Sequence, residues 1–205
     1  MSPVIDKQEA ILKTALRLFV ERGFFGTPTS LISKEAGVAT GTLFFYFKTK
    51  EELIDTLYLR VKATAAEAMC RGLNEEPDTT ARLRRLGRNA VEWGIGNPEE
   101  MKFMEQFAHS PFVSTSAQEE GMSRFLFLKD IINEGIREGV IRDYDPQLMI
   151  FMMVSSFSGL IGRVSFAGTP AEREAIIEQG MDFVWNGLRA EPVHEKSSGK
   201  QGRKK

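Results

Sequence analysis

TPTSLISKEAGVATGTLFFYF, residues 27–47, contains two short segments with helical periodicity on either side of an Ala-Gly-Val turn. Glycine accepts the left-handed backbone that a tight turn between two helices needs. Before the turn, Thr27 and Pro28 predict a helix start, with Thr27 as the N-cap and Pro28 at the first helical position. We therefore expect two short helices, over about 28–36 and 40–47.

These are the proportions of a helix-turn-helix, whose first helix braces across the DNA backbone while the second lies in the major groove. The second segment begins with Thr40, Gly41 and Thr42, and residues this small would let its backbone approach a groove closely. Many other all-α proteins also contain a tight helix corner. The aromatic cluster over 44–47 therefore suits three roles: the corner of a core, the wall of a ligand pocket, or a surface that contacts DNA.

Helical periodicity continues along nearly the whole chain, and the alternation typical of strands is nearly absent. This predicts an all-α protein in which a small N-terminal three-helix unit precedes a larger helical body. Beyond the two short helices, we expect helices over about 6–22, 51–71, 78–94, 98–111, 117–138, 146–166 and 170–189. The final segment, EKSSGKQGRKK, has no apolar residue and is predicted to be a disordered tail.

Charge and cysteine content narrow the class of protein without naming a partner. The chain has 205 residues, with 27 Lys and Arg against 28 Asp and Glu, and a DNA-binding protein can carry its basic patch locally. The single cysteine, Cys70, excludes an internal disulfide framework. The most apolar run, 148–162, is shorter than the ~20 residues that span a bilayer. We expect a soluble cytoplasmic protein that does not enter a membrane.

The residues that enzymes use for catalysis do not form a recognisable pattern. The chain has two histidines, His109 and His194, and its paired glutamates are adjacent in sequence, so they do not share a helix face. Glycine-rich phosphate loops, zinc-ligand spacings and nucleophile motifs are absent from the sequence. We therefore predict a protein that is not an enzyme, with no catalytic residues, no cofactor and no metal ion.

A longer segment, residues 10–54, resembles the TetR/AcrR-type transcriptional regulators. The resemblance lies in the Leu-Phe-x-x-x-Gly-Phe end of the first helix, the Ala-Gly-Val turn, and the sequence Gly-Thr-Leu-aromatic-x-Tyr-Phe-x-x-Lys-Glu. It implies a sequence-specific DNA-binding homodimer, usually a repressor that a small and largely apolar effector releases from a palindromic operator. The alternative is a DNA-binding protein of the same fold that acts without a small-molecule effector, as a structural or protein-partnered factor.

The resemblance also implies roles for individual residues in the motif. Leu43 and Phe47 should face inward, and Phe44 replaces the usual tyrosine, which leaves an apolar contact with sugar or a thymine methyl group. Ala39 stands where the family commonly has Ser or Thr, which removes a cap worth ~1 kcal/mol unless Thr40 takes over. The residues expected to contact double-stranded DNA are Thr29, Ser30, Thr40, Gly41, Thr42, Phe44, Phe45, Tyr46 and Lys50.

The resemblance divides the chain into a helix-turn-helix domain (1–48), a helical effector-binding and dimerisation domain (49–192) and a basic tail (193–205). The expected effector pocket comprises Trp93, Phe103, Met104, Phe107, His109, Met122, Phe125 and Met149. A methionine and aromatic stripe at helical spacing is also typical of an ordinary core, and His109 suits a helix cap equally well. The expected dimer interface includes Ser155, Phe157, Gly159, Ile161, Phe183 and Val184.

Overall fold

The computed structural model describes residues 3–190, and the side chains of residues 7–190. This part of the chain is all-α, as predicted, with a short 3-10 turn at Leu73–Glu75. The predicted tail, 193–205, lies outside the described residues. The helices are α1 (Pro3–Arg22), α2 (Thr29–Glu35), α3 (Thr40–Tyr46), α4 (Lys50–Cys70), α5 (Thr79–Gly96), α6 (Pro98–Phe107), α7 (Thr115–Ser123), α8 (Leu126–Arg137), α9 (Pro146–Val164) and α10 (Pro170–Leu188).

Thr27 holds the end of α1 and does not cap α2, so the predicted N-cap is wrong. The N-cap position of α2 is Pro28, and Thr27 is fully buried. Its hydroxyl lies 3.0 Å from the carbonyl oxygen of Leu18 and 2.8 Å from that of Gly23. These two hydrogen bonds tie the segment after α1 back to the end of that helix and fix the turn between α1 and α2.

The core of the three N-terminal helices continues into the body. Leu43 and Phe47 of the α3 segment are buried, as predicted, in a cluster that also contains Phe103 and Phe107 of α6. The rings of Phe19 and Phe107 lie 5.9 Å apart, which joins α1 directly to α6. The predicted division at residue 48 therefore does not separate two hydrophobic cores.

A second core is formed by α5, α8, α9 and α10, and it explains why the single helix predicted over 117–138 is wrong. That segment forms two helices, α7 and α8, which meet near Phe125. Ala117 of α7 packs in the first core, whereas Leu128 and Ile131 of α8 pack in the second. One straight helix could not pack Ala117 in the first core and Leu128 in the second, so the chain changes direction near Phe125.

Helix α4 connects the two cores. Its start is fixed by Thr49, whose hydroxyl accepts a hydrogen bond of 3.0 Å from the backbone N–H of Glu52. Leu53 and Ile54 near this end pack in the first core, and Met69 near the other end packs in the second. A helix of 21 residues is about 30 Å long, so α4 is long enough to reach from the first core to the second.

Candidate nucleic-acid interface

The corner between α2 and α3 is tightly held. Gly37 has a φ of 69°, the left-handed conformation predicted for the turn. The backbone N–H of Val38 donates to the carbonyl of Ser33 over 2.9 Å, and the hydroxyls of Ser33 and Thr40 lie 3.1 Å apart. These contacts fix the direction of α3 relative to α2.

The start of α3 has no side-chain cap. Ala39 occupies the N-cap position, and the hydroxyl of Thr40 is bonded to Ser33, so Thr40 does not take over the capping role in a shifted register. A missing cap costs roughly 1 kcal/mol of helix stability. The bond between Thr40 and Ser33 and the burial of Leu43 supply other anchors for this short helix.

The aromatic residues of α3 divide between core and surface. Leu43 and Phe47 are buried, whereas Phe44 is 40% exposed and Phe45 is 69% exposed. Tyr46 is half-buried, and its ring meets that of Phe45 edge to face at 5.3 Å. Of the three roles open to this cluster, Leu43 and Phe47 serve the core, and Phe44 and Phe45 form part of the molecular surface.

The motif brings all the predicted DNA contacts except Lys50, which begins α4, onto the neighbouring helices α2 and α3. The exposed ones are Ser30, Thr40, Gly41, Phe44 and Phe45; the half-buried ones are Thr29, Thr42, Tyr46 and Lys50. Leu43 and Phe47 point into the core from the same helix segment, so the exposed members occupy its outward side. We call the predicted residues on α2 and α3 the α2–α3 surface.

Lys50 is directed toward the end of α1. Its ammonium lies 4.0 Å from the centre of the Phe24 ring and donates a hydrogen bond to the backbone carbonyl of Phe24. Partial burial lowers the pKa of this ammonium, because removal from water disfavours the charged form. A phosphate contact by Lys50, as predicted, would require the side chain to leave these partners.

Two exposed lysines next to the α2–α3 surface were not among the predicted contacts. Lys34 lies in the last turn of α2, and Lys48 follows α3. The ammonium of Lys48 is 3.2 Å from the carbonyl oxygen of Phe45 and 5.8 Å from the centre of the Phe45 ring. A cation just beyond a helix C-terminus is favoured by the helix dipole. The position of Lys48 directly after the predicted second helix was therefore a sequence signal for a cation beside this surface.

Comparison with known proteins identifies the family. Residues 11–57 match the family described as bacterial regulatory proteins, tetR family. The chain is also 31% identical to a crystal structure from Shewanella sp. PV-4 assigned to the TetR-family transcription regulators, with a TM-score of 0.81 over 90% of this chain and 99% of that one. The chain belongs to the TetR family of bacterial transcriptional regulators.

Two further relatives extend the TetR-family comparison. The HTH-type transcriptional regulator YhgD of Bacillus subtilis is 29% identical over 91% of this chain and 98% of its own length. The regulator FadR of Bacillus subtilis, in complex with stearoyl-CoA, has the same fold, with 20% identity and a TM-score of 0.71 over 87% of this chain and 98% of that one. These relatives are regulators, which supports the prediction that the chain is not an enzyme.

The residues predicted to line an effector pocket lie in both cores and at the surface of the described part of the chain. Phe103, Phe107, Trp93 and Met104 belong to the first core or pack against it, and Phe125 and Met149 belong to the second. His109 and Met122 are exposed. A small apolar cavity of about 10 Å³ lies instead among residues that include Met69, Leu128, Met153 and Phe157.

Helix α9 presents an apolar stripe that the described residues of the chain leave uncovered. Its composition and length would allow it to cross a membrane, and 22% of its most apolar window is buried within the chain. The exposed positions recur at helical spacing, and Phe183 of α10 is also 77% exposed. We call this the α9–α10 face: Leu148, Phe151, Met152, Ser155, Gly159 and Phe183.

The six residues predicted for the dimer interface are divided by burial. Ser155, Gly159 and Phe183 lie on the α9–α10 face. Phe157 is buried in the second core, and Ile161 and Val184 are half-buried against it. The last three therefore support the helices from within the chain.

Proposed function

We propose that this TetR-family chain is a cytoplasmic repressor that binds a palindromic operator as a homodimer, with α3 in the major groove. The observation that carries the proposal is the outward side of α3, where Phe44 and Phe45 are exposed although the same helix buries Leu43 completely. Exposing two large aromatic side chains to water is unfavourable. Contact with the grooves of DNA would cover them.

The residues of the α2–α3 surface would make two kinds of contact with DNA, one with the bases and one with the sugar-phosphate backbone. Thr40 and Thr42 would contact base edges or phosphate, and Phe44 would contact a thymine methyl group. Thr29 and Ser30 on α2 would bind the sugar-phosphate backbone, which fixes position without reading sequence. We propose that Lys48 adds a phosphate contact of the kind expected from Lys50.

A second copy of the chain would cover the α9–α10 face. The stripe is too apolar to remain exposed in a soluble regulator, and small residues such as Ser155 and Gly159 permit close approach of another helix. A two-fold dimer would place its two α3 helices in successive major grooves, about 34–36 Å apart.

Release by an effector is the mechanism that we propose for regulation. Helix α4 spans both cores, so an effector that favours another placement of α4 would change the spacing of the two α3 helices. The largest factor by which the effector can weaken operator binding is the ratio of its affinities for the two arrangements. FadR carries stearoyl-CoA on the same fold, which supports a ligand with a large apolar part.

A second candidate function is favoured by the small volume of the apolar cavity in the second core. The cavity near Met69 and Met153 holds roughly one water molecule, so an effector of ordinary size would have to displace side chains. In this alternative, the TetR-family chain binds DNA without a small molecule and is controlled by a protein partner or acts structurally. Titration of the operator complex with apolar compounds separates the two, since this alternative expects no compound to release DNA.

Footprinting on the DNA upstream of the chain's own gene, across a salt series, tests the main proposal. The variants are Thr42→Ala, Lys48→Ala and Lys50→Ala, with Lys129→Ala on the exposed side of α8 as a matched control. We expect a protected palindrome, a salt slope lower by about 1 for Lys48→Ala, and relaxed sequence preference for Thr42→Ala. Weak, sequence-blind binding that is the same for all proteins would contradict the proposal.

A further inference from the structure

Lys62 of α4 carries a positive charge into apolar surroundings. Its ammonium lies 5.6 Å from the centre of the Tyr58 ring, 5.1 Å from that of Phe125, and 3.8 Å from the sulfur of Met122. Among the side chains of residues 7–190, no carboxylate forms an ion pair with it. Aromatic faces attract a cation, but they replace its hydration incompletely.

Two other cations, one on α4 and one on α5, have acidic partners. Arg60, half a turn away on α4, binds Glu9, and Arg82 of α5 binds Glu134 over 2.7 Å. Lys62 differs because burial lowers the pKa of its ammonium with no acidic group to oppose the shift. An anion from outside the chain would supply the missing partner.

The ammonium lies close to the surface of the molecule. Met122, which contacts it, is 55% exposed. The preceding residue, Gly121, lets α7 approach α4 closely, because a Cβ atom there would lie 2.6 Å from Cε1 of Tyr58 and 3.2 Å from Cγ of Lys62. A ligand head group could therefore reach Lys62 by displacing the flexible side chain of Met122, without moving a helix.

Lys62 and Phe125 are each followed along the chain by a residue that lines the small cavity. Met69 follows Lys62 by two turns on the same side of α4, a rise of about 10 Å, and Leu128 follows Phe125 by one turn of α8. Both Met69 and Leu128 line the small cavity, together with Met153. Methionine side chains are unbranched and adaptable, so Met69 and Met153 could move to open this cavity around a tail.

We propose that Lys62 binds the anionic head group of an amphipathic effector whose apolar tail enters the cavity between Met69, Leu128 and Met153. The proposal rests on the effector-controlled function described above and names the chemical class of the effector. The ligand would act on α4 through Lys62 and on α7 through Met122. Because α4 also begins beside the α2–α3 surface, occupancy would bias the position of the DNA-binding helices.

Calorimetric titration with decanoate, decyl phosphate and decanol, below their micellar concentrations, tests the proposal on the full chain. The variants are Lys62→Met, which keeps an unbranched side chain without charge, and Lys62→Arg, which keeps the charge. We expect at least one anion to bind wild type more tightly than decanol does, and Lys62→Met to weaken that anion roughly ten- to a hundredfold. Decanol binding should not change, and Lys62→Arg should retain the preference for the anion.

The two anions identify the source of the head group: tighter binding of decyl phosphate assigns a phosphate, and tighter binding of decanoate assigns a carboxylate. Equal binding of decanol and both anions, unchanged anion binding by a folded Lys62→Met variant, or no binding of either anion would overturn the proposal. Operator binding is measured separately without ligand. Its absence in wild type would contradict the proposed repressor function and leave the ligand result standing. Anion binding that never releases a bound operator would refute the effector role alone.

Discussion

At the scale of single residues, two aromatics of the α3 segment have opposite roles. Phe45 is exposed and Phe47 is buried in the first core, although they are two positions apart. We expect Phe45→Ala to weaken operator binding by about 1–2 kcal/mol, roughly five- to thirtyfold, because an apolar contact with DNA is lost. Its free energy of unfolding should change by about 0.5 kcal/mol or less. Fluorescence anisotropy with operator DNA and urea unfolding measure the two quantities.

Phe47→Ala is the matched control for Phe45→Ala. It should lower the free energy of unfolding by about 3–5 kcal/mol, because a fully packed ring leaves a cavity in the core. The assignment of Phe45 to the DNA surface would be wrong if Phe45→Ala destabilised the fold as strongly as Phe47→Ala. It would also be wrong if operator affinity stayed at the wild-type value.

The ion pair between Glu9 and Arg60 gives a pH-dependent prediction. The guanidinium of Arg60 donates to both carboxylate oxygens of Glu9, and this hydrogen bonding lowers the pKa of Glu9 below its usual 4.5. A lowered pKa in the folded state stabilises the protein above the unfolded value, and the stabilisation is lost as pH falls through the folded value. We expect Glu9→Gln to cost less than about 1 kcal/mol at pH 7, since the pair is half exposed.

Urea unfolding of wild type and Glu9→Gln at a series of pH values from 7 to 3 measures this difference. The gap between the two proteins should shrink below about pH 4.5 and approach zero once the carboxyl group is protonated. A gap that is the same at pH 3 and pH 7 would show that the side chain acts by packing alone.

At the scale of elements, an aromatic stack joins the turn after α1 to the loop after α6. The rings of Phe24 and Phe112 lie 4.2 Å apart with an interplanar angle of 4°. We expect a double-mutant cycle with Phe24→Ala and Phe112→Ala to give a coupling energy of about 0.5–1.5 kcal/mol in urea unfolding. The matched cycle of Phe45→Ala with Phe112→Ala should give a coupling near zero, and equal couplings in both cycles would contradict a direct contact.

Most helix bounds could be predicted because periodicity and proline positions are local signals. Helices α6, α9 and α10 each begin at a proline that follows a polar residue, as the sequence predicted. The division between α7 and α8 could not be predicted, since helical periodicity continues through Phe125. It depends on two cores facing in different directions, and their positions arise from contacts distant in sequence.

In the candidate site too, the sequence predicted features that depend on one helix and missed contacts between residues distant in the chain. Motif spacing correctly separated buried Leu43 from exposed Phe45, because that distinction depends on the period of one helix. It could not place the ammonium of Lys50 against Phe24, which is 26 residues earlier in the chain. It likewise could not reveal that Lys62 has no carboxylate as an ion-pair partner among the described side chains, since this depends on which residues of α7 and α8 surround it.

At the scale of the whole molecule, the α9–α10 face predicts the oligomeric state. Helices α9 and α10 pack closely at Gly180, where a Cβ atom would lie 2.5 Å from Cδ1 of Leu160. The large apolar residues of the α9–α10 face lie outside this contact and are exposed. We expect wild type to sediment as a dimer at micromolar concentration. Phe183→Glu should sediment as a monomer, because two like charges would meet across or near the two-fold axis.

The DNA-binding consequence distinguishes a dimer that matters for function from an accidental association. A monomer binds one half-site and loses the advantage of linked binding, so Phe183→Glu should bind the full operator roughly a hundredfold more weakly or worse. Its affinity for an isolated half-site should equal that of wild type, because Phe183 is far in sequence from α3 and outside the first core. Leu126→Glu, at an exposed apolar position on α8, is the control and should remain dimeric. A Phe183→Glu protein that stays dimeric with full operator affinity would place the dimer interface elsewhere on the molecule.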